Sequence, residues 1–306
     1  MQSVSSAKLI YHLVQLIPSG KVITYGLAAR LTGVNSAQAV GQILHRNRDP
    51  AVACYKVVFA NGQLSDQYAF GGKPHQARRL RADKVRLASE SQVDLSTSLW
   101  QPHRLLYLYF DLVKTHGWPG AWPWFGQPAY SQSEIILSSV LTQNTNWRNV
   151  HQAITNLRQA KLNRLQAFLK AAHDQPQQLQ QLIRPAGFYR QKLATITRLL
   201  DTILPLPKIQ PLATEQLRRL LLDIKGIGPE TADTLLLYGF NRPVFVVDRY
   251  TLTWLSQHKL LNTNDYHTAQ AYFTKHLPIN LELFQNFHAL IVQAGKTNNS
   301  RILPAK

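Results

Sequence analysis

The stretch from Leu221 to Thr253, LLDIKGIGPETADTLLLYGFNRPVFVVDRYTLT, constrains this chain more than any other. Leu221 to Lys225 reads as the end of a short helix. Gly226-Ile227-Gly228 reads as a turn, because glycines take φ > 0 without strain and let another backbone approach closely. A second helix opens at Pro229, whose missing N–H would be unpaired at the first helical position anyway. Glu230 and Asp233 suit the positive end of that helix's dipole. Helix, glycine turn and helix together make an anion grip, in which amides face a phosphate without reading bases. Lys225, Gly226, Ile227, Gly228 and Thr231 are its candidate contacts. Twenty residues beyond Gly228, Asp248 closes the apolar run Val244-Phe245-Val246-Val247. A carboxylate there is costly unless it is paired or functional.

Charge points to the same class of partner. With 34 Lys and Arg against 16 Asp and Glu, a net +18, a polyanion is the leading expectation. The 306 residues leave room for two domains. A single cysteine, Cys54, excludes an intrachain disulfide framework and a four-cysteine cluster. No metal or cofactor is expected. The opening MQSVSSAKLI lacks the basic start and long apolar run of a secretory leader, and no apolar run is long enough to span a bilayer. The expectation is a cytoplasmic protein with no membrane partner.

The first 90 residues read as a small domain. Leu9, Ile10, Leu13, Leu16 and Ile17 give an amphipathic helix that ends at Pro18-Ser19-Gly20. Val22 to Thr24 is extended, Tyr25 to Leu31 helical, Gly33 a stop, and Ser36 to Leu44 a second helix, a helix-turn-helix pattern. The order Ile17-Pro18-Ser19-Gly20-Lys21-Val22, Thr24-Tyr25-Gly26, Ala39-Val40-Gly41 and Ala53-Cys54-Tyr55-Lys56-Val57-Val58 resembles the DNA-binding domain of the alkylguanine-DNA alkyltransferases. Three departures matter. The histidine that activates the family's acceptor thiol is Tyr55 here, the arginine that fills the gap behind a flipped base is Gln38, and the proline before the cysteine is Ala53. This is the pattern of the alkyltransferase-like branch, which binds alkylated guanine without removing the alkyl group. The resemblance makes Tyr25 the residue that presses on the phosphate, with packing of the extended segment as the alternative. Cys54 keeps three readings: a buried inert thiol, a wall of the lesion pocket, or an acceptor assisted by Lys56. Arg46, Arg48, Arg78, Arg79 and Arg81 read as phosphate contacts or as solvated charges.

Residues 91–103 are polar, serine-rich and aperiodic, and read as a linker to a second domain over 104–306. KGIGPETAD and VVDRYT, in that order and at that spacing, resemble the helix-hairpin-helix DNA glycosylases, which include endonuclease III and the alkyladenine glycosylases. LTQNT (Leu141 to Thr145), PAGFYRQKLATI (185–196) and His288-Ala289-Leu290-Ile291-Val292 extend that resemblance. It implies that Gln143 fills the gap left by an extruded nucleotide, with a cap on the next helix as the alternative. Arg190 and Lys192 read as phosphate contacts or as solvated charges. Trp122 and Trp124 belong to an aromatic gathering before a core helix and Trp147 follows LTQNT; they read as an electron-rich slot for a cationic alkylated purine or as ordinary core packing. The nearest resemblance is to the bacterial 3-methyladenine glycosylases of the endonuclease III type.

The fold expected is mainly α. A small winged-helix-like alkyltransferase DNA-binding domain precedes an all-α, two-lobed helix-hairpin-helix glycosylase domain without an iron-sulfur cluster. Asp248 would stabilise an oxocarbenium-like sugar and direct the water. Bifunctional relatives carry a nucleophilic lysine two residues after the second hairpin glycine, a position held here by Glu230, so a monofunctional glycosylase acting on alkylated double-stranded DNA is expected. The rival readings are a non-catalytic lesion sensor recruiting downstream repair proteins, a glycosylase with lyase activity, and a transcriptional regulator. The last would need a base-reading helix, and Asn35 to Leu44 is too small and apolar to supply one.

Overall fold

The computed structural model describes residues 4–120, 122–125, 129–204 and 209–302, with side chains through 297. The chain is mainly helical and divides into two compact units. One comprises Met1–Trp118, Ala271–Asn280 and Gln293–Lys306, and the other Pro119–Gln270 and Leu281–Val292. No helix among the described residues is long and apolar enough to cross a membrane.

In the first unit, α1 (Ser6–Leu16) buries Leu9, Ile10, Leu13 and Leu16 on one face, as its spacing requires. α2 (Tyr25–Thr32) starts at Thr24, whose hydroxyl accepts from Leu27 N–H at 3.2 Å, and stops at Gly33 in the left-handed region at φ 70°. α3 (Ala37–His45) is capped by Ser36, which accepts from Ala39 N–H at 3.0 Å. A parallel pair, β1 (Ile23–Thr24) with β2 (Val57–Val58), closes the domain through Ile23↔Val57 and Thr24↔Val58. A one-turn 3₁₀ helix, Cys54–Lys56, leads into β2. α4 (Gly72–Ala82) follows, and then a small antiparallel wing, β3 (Leu87–Ser89) with β4 (Gln92–Val93).

The expected linker over 91–103 is largely folded. Val93 lies in a core with Val22, Val58, Leu64, Ala77, Leu80 and Val85. The short α5 (Leu95–Ser98) buries Ser98, and the backbones of Val22 and Trp100 are joined by a bond of 2.8 Å. α6 (Arg104–His116), expected to open the second domain, packs on α2 in this same unit. Strands of two or three residues leave no periodic trace in the sequence, so burial by distant partners was invisible there.

The second unit runs through α7 (Gln132–Leu141), α8 (Trp147–Gln159), α9 (Leu165–Asp174), α10 (Pro176–Ile183) and α11 (Tyr189–Ile203). α12 (Thr214–Leu222) and the short α13 (Pro229–Thr234) form the expected hairpin, and α13 continues into a π turn over Leu235–Gly239. α14 (Arg249–Gln257), α15 (Tyr266–His276) and α16 (Leu281–Ile302) complete the chain, the last two passing between units. At the start of α7, Ser131 and Glu134 form a reciprocal capping box. Burial pushes the Glu134 carboxyl up, but Arg158, Ser131 and Asn163 outweigh it and hold it at about 2. Its folded value is therefore depressed, and the stability it contributes is complete above the ordinary glutamate range and lost as pH falls toward about 2.

Candidate functional site

Asp248 is the N-cap of α14. Its Oδ1 accepts from the Thr251 N–H at 2.7 Å and from the Thr251 hydroxyl at 2.9 Å. Capping accounts for those two bonds, whereas Oδ2 faces His288 Nε2 at 3.7 Å. Burial pushes the Asp248 carboxyl up, but His288 and Thr251 outweigh that and hold it below the ordinary aspartate value. The group is therefore an ionised carboxylate with a side chain only 16% exposed.

An aromatic cluster leads to it. The rings of His288 and Trp122 meet edge-on at 5.7 Å, and Trp122 meets Trp124 at 6.0 Å. Trp124 in turn meets Tyr238 at 4.6 Å and Trp147 at 5.8 Å. All three candidate pocket tryptophans thus belong to one cluster that ends at Asp248. Trp124 is committed as wall, since its indole N–H donates to Ser138 Oγ at 2.7 Å. Trp147 stays half-buried at the first turn of α8. The sequence reading singled out neither Tyr238 nor His288 for a role, although the two are bonded at 2.7 Å.

The hairpin is built as expected, with different roles for its residues. Gly226 sits at φ 100°, and a Cβ there would collide with Thr195 Oγ1, so only glycine fits. Gly228 is extended and caps α13, with nothing near the place its Cβ would take, so this turn leaves room for a backbone or a phosphate. Ile227 is buried and its N–H donates to Ile224 O, so it supports the turn from inside. Lys225 is exposed, and its carbonyl accepts from Arg198 at 2.9 Å. Thr231 is buried and accepts at 2.9 Å from Gln143 Nε2, which also donates to Gly226 O at 3.0 Å. Gln143 is thus tied to the hairpin, while the cap of α8 is Asn146.

Phe188 was missed by the sequence reading. It caps α11 in the left-handed region, at φ 46° and ψ 31°, with 65% of its surface exposed. An exposed phenylalanine in that conformation is held there by its surroundings at a cost in strain. With Gln143, Asn144, Lys192, Thr195 and Gly226 it lines a cavity of about 190 Å³. The available signal was an aromatic side chain placed directly after Gly187 in a turn. Lys192 needs correction as a phosphate contact. It is buried, its Nζ donates to Leu141 O at 2.8 Å and Ala186 O at 2.7 Å, and desolvation pulls it down to about 8. Arg190 is exposed.

In the first unit, Tyr25, Gln38, Cys54, Phe59, Ser65 and Tyr68 line a cavity of about 530 Å³. Tyr55, expected beside them, is not among its lining residues. It packs against the Val22 and Val58 core, with the Arg79 guanidinium 4.3 Å from its ring centre. A 3₁₀ turn sends successive side chains about 120° apart, which separates Cys54 from both neighbours. Lys56 turns inward to Asp83 at 2.9 Å and Ile17 O at 3.0 Å, so it does not assist the thiol. Burial pushes the Cys54 thiol up, against the opposing Asn47 bond of 3.6 Å and the Arg79 charge. Arg79 is held by Tyr68 and Pro50, whereas Arg78 and Arg81 are exposed.

Comparison with known proteins places both halves. Residues 137–278 match the model of the HhH-GPD superfamily of base excision DNA repair proteins. A protein of Methanocaldococcus jannaschii named as a candidate DNA repair glycosylase is 36% identical over 196 residues, covering 62% of this chain and 86% of its own. The chain belongs to the HhH-GPD superfamily. Its HhH-GPD half is also similar to a 3-methyladenine DNA glycosylase of H. pylori solved with 1,N6-ethenoadenine. That match has 30% identity and a TM-score of 0.52, covering 63% of this chain and 94% of that one. Residues 5–85 match the DNA-binding domain of 6-O-methylguanine DNA methyltransferase. Alkyltransferase-like protein 1 of Schizosaccharomyces pombe is 32% identical over 99 residues, covering 30% of this chain and 92% of its own. This HhH-GPD protein is therefore a DNA repair glycosylase carrying an alkyltransferase-like domain. Among the described residues, no group of three or more His, Cys, Asp or Glu could hold a metal ion.

Proposed function

We propose that this protein removes alkylated purines of the 3-methyladenine and 7-methylguanine class from double-stranded DNA, as a monofunctional glycosylase. The observation that carries this reading is an ionised Asp248 at the end of an aromatic cluster. Cleaving the N-glycosidic bond leaves an oxocarbenium-like sugar. A fixed carboxylate beside the anomeric carbon stabilises that charge and directs water to the open face. A purine methylated at N3 or N7 is cationic in the nucleotide and already a good leaving group, so no strong general acid is required. The same positive charge favours the ring faces of Trp122 and Trp147. Extruding the base costs a few kcal/mol. Gln143 would exchange its bonds to Gly226 and Thr231 for bonds to the orphaned partner base, and Phe188 would fill stacking space beside it. The name of the H. pylori relative supports the substrate class.

Glu230 holds the position of the lyase lysine, and a carboxylate cannot form a Schiff base. With DNA and borohydride, no covalent adduct should form. Efficient trapping would contradict the monofunctional reading.

The N-terminal domain, in this reading, binds alkylated guanine in the Cys54 cavity without accepting the alkyl group. A protonated, poorly nucleophilic thiol without an adjacent base supports this. After incubation with DNA containing O6-methylguanine, intact-mass measurement should find no added methyl group. A stoichiometric gain at Cys54 would show transfer instead.

A further inference from the structure

His288 lies 40 residues beyond Asp248 in the chain, on α16, and is only 4% exposed. Its two nitrogens meet different partners. Nδ1 is 2.7 Å from the Tyr238 hydroxyl, and Nε2, buried without a hydrogen-bond partner, is 3.7 Å from Asp248 Oδ2. Tyr238 brings a single proton. Burial, then the Asp248 charge, pushes that phenol far up, so it remains a neutral hydroxyl.

Two proton arrangements fit these contacts. In one, Tyr238 donates to Gln285 O at 3.1 Å, and its oxygen accepts from Nδ1–H. A neutral ring would then turn a bare Nε2 lone pair on a buried carboxylate, which is repulsive, so Nε2 is protonated too and the ring is a cation. In the other, Tyr238 donates to Nδ1 and a neutral ring carries its proton on Nε2. Either way an N–H faces Asp248.

We propose that His288 is a positioning residue, which presents Nε2–H to Asp248 Oδ2 and, with Thr251 on Oδ1, holds that side chain as an oriented anion. The catalytic consequence rests on the reading of Asp248 given above. A carboxylate engaged at both oxygens is a weak base and a fixed negative charge. Such a group suits stabilising a sugar cation better than stripping a proton from water. Among the described residues, the titratable groups that reach His288 are Asp248, Tyr238 and Glu230. Crowding by neighbouring atoms and then the Asp248 charge push the Glu230 carboxyl up, while His288 draws it down, although Glu230 keeps solvent access. Without His288, two carboxylates would share the site with no donor between them.

The test is a carbon-13 titration of aspartate-labelled protein, with Asp248→Asn identifying the Asp248 carboxyl signal. In His288→Asn that signal should titrate higher than in the wild type by about one pH unit or more. Tyr238→Phe should move it in the same direction by less. The acid limb of single-turnover excision should shift with it, a readout that a merely structural role would leave in place. Circular dichroism checks folding, and His288→Gln replaces His288→Asn if the latter does not fold. An unshifted Asp248 signal in either folded variant would overturn the inference. If the wild type released no alkylated base, the substrate reading would fail while the titration still judged His288.

Discussion

Asp248→Asn is expected to slow single-turnover base excision by about 10²- to 10⁴-fold while leaving affinity for damaged duplex DNA within a few-fold. The substitution is chosen because asparagine keeps an oxygen for the Thr251 N–H and hydroxyl, so the cap of α14 survives and the charge is what is lost. The pH dependence follows from the same geometry. Because the folded Asp248 value is depressed, its ionised form, and the stability that comes with it, is fully present above the ordinary aspartate value and is lost as pH falls through the lower folded value. Excision by the wild type should therefore persist into mildly acidic solution. Near-normal turnover in Asp248→Asn would remove this carboxylate from the mechanism.

The second large effect is on stability. Asp233 is fully buried and accepts from Arg218 Nε at 2.7 Å and Nη2 at 3.0 Å, from Tyr266 at 2.7 Å and from Gln270 at 2.7 Å. It joins α12, α13 and α15, and through Gln270 the backbone of Phe245, just ahead of Asp248. Asp233→Ala strands a guanidinium only 14% exposed and should cost about 3–5 kcal/mol. That is a large part of the roughly 5–15 kcal/mol typical of a domain. The midpoint of urea unfolding should fall accordingly, and Asp233→Asn, which keeps an acceptor, should fall less. A loss below about 1 kcal/mol would mean that the pair is not needed to hold the hairpin.

What was legible in the sequence was what is local. Gly33, read as a stop, ends α2, and the helices expected to start at Tyr25 and Ser36 start at Tyr25 and Ala37, where Thr24 and Ser36 prove to be the caps. The hairpin was readable because Gly226 needs φ > 0 and Pro229 suits a helix start. Asp248 was visible as an acidic residue after an apolar run, Trp122 and Trp124 as part of an aromatic gathering ahead of α7, and Trp147 by its place just after LTQNT. Asp233 was only half legible: the reading at a helix dipole missed its partners Arg218, Tyr266 and Gln270, 15 to 37 residues away. The Tyr238–His288 bond spans 50 residues, and no local pattern announces such a contact. Tyr55 was misplaced because the direction of its side chain depends on a 3₁₀ turn rather than on the motif around it.

The most direct test of the central claim is identification of the product released from duplex DNA bearing 3-methyladenine and 7-methylguanine. The account predicts free methylated purines in the supernatant, an abasic strand left uncut, and no release from undamaged DNA. Tight binding to the same DNA without any released base would contradict it and make the protein a lesion sensor.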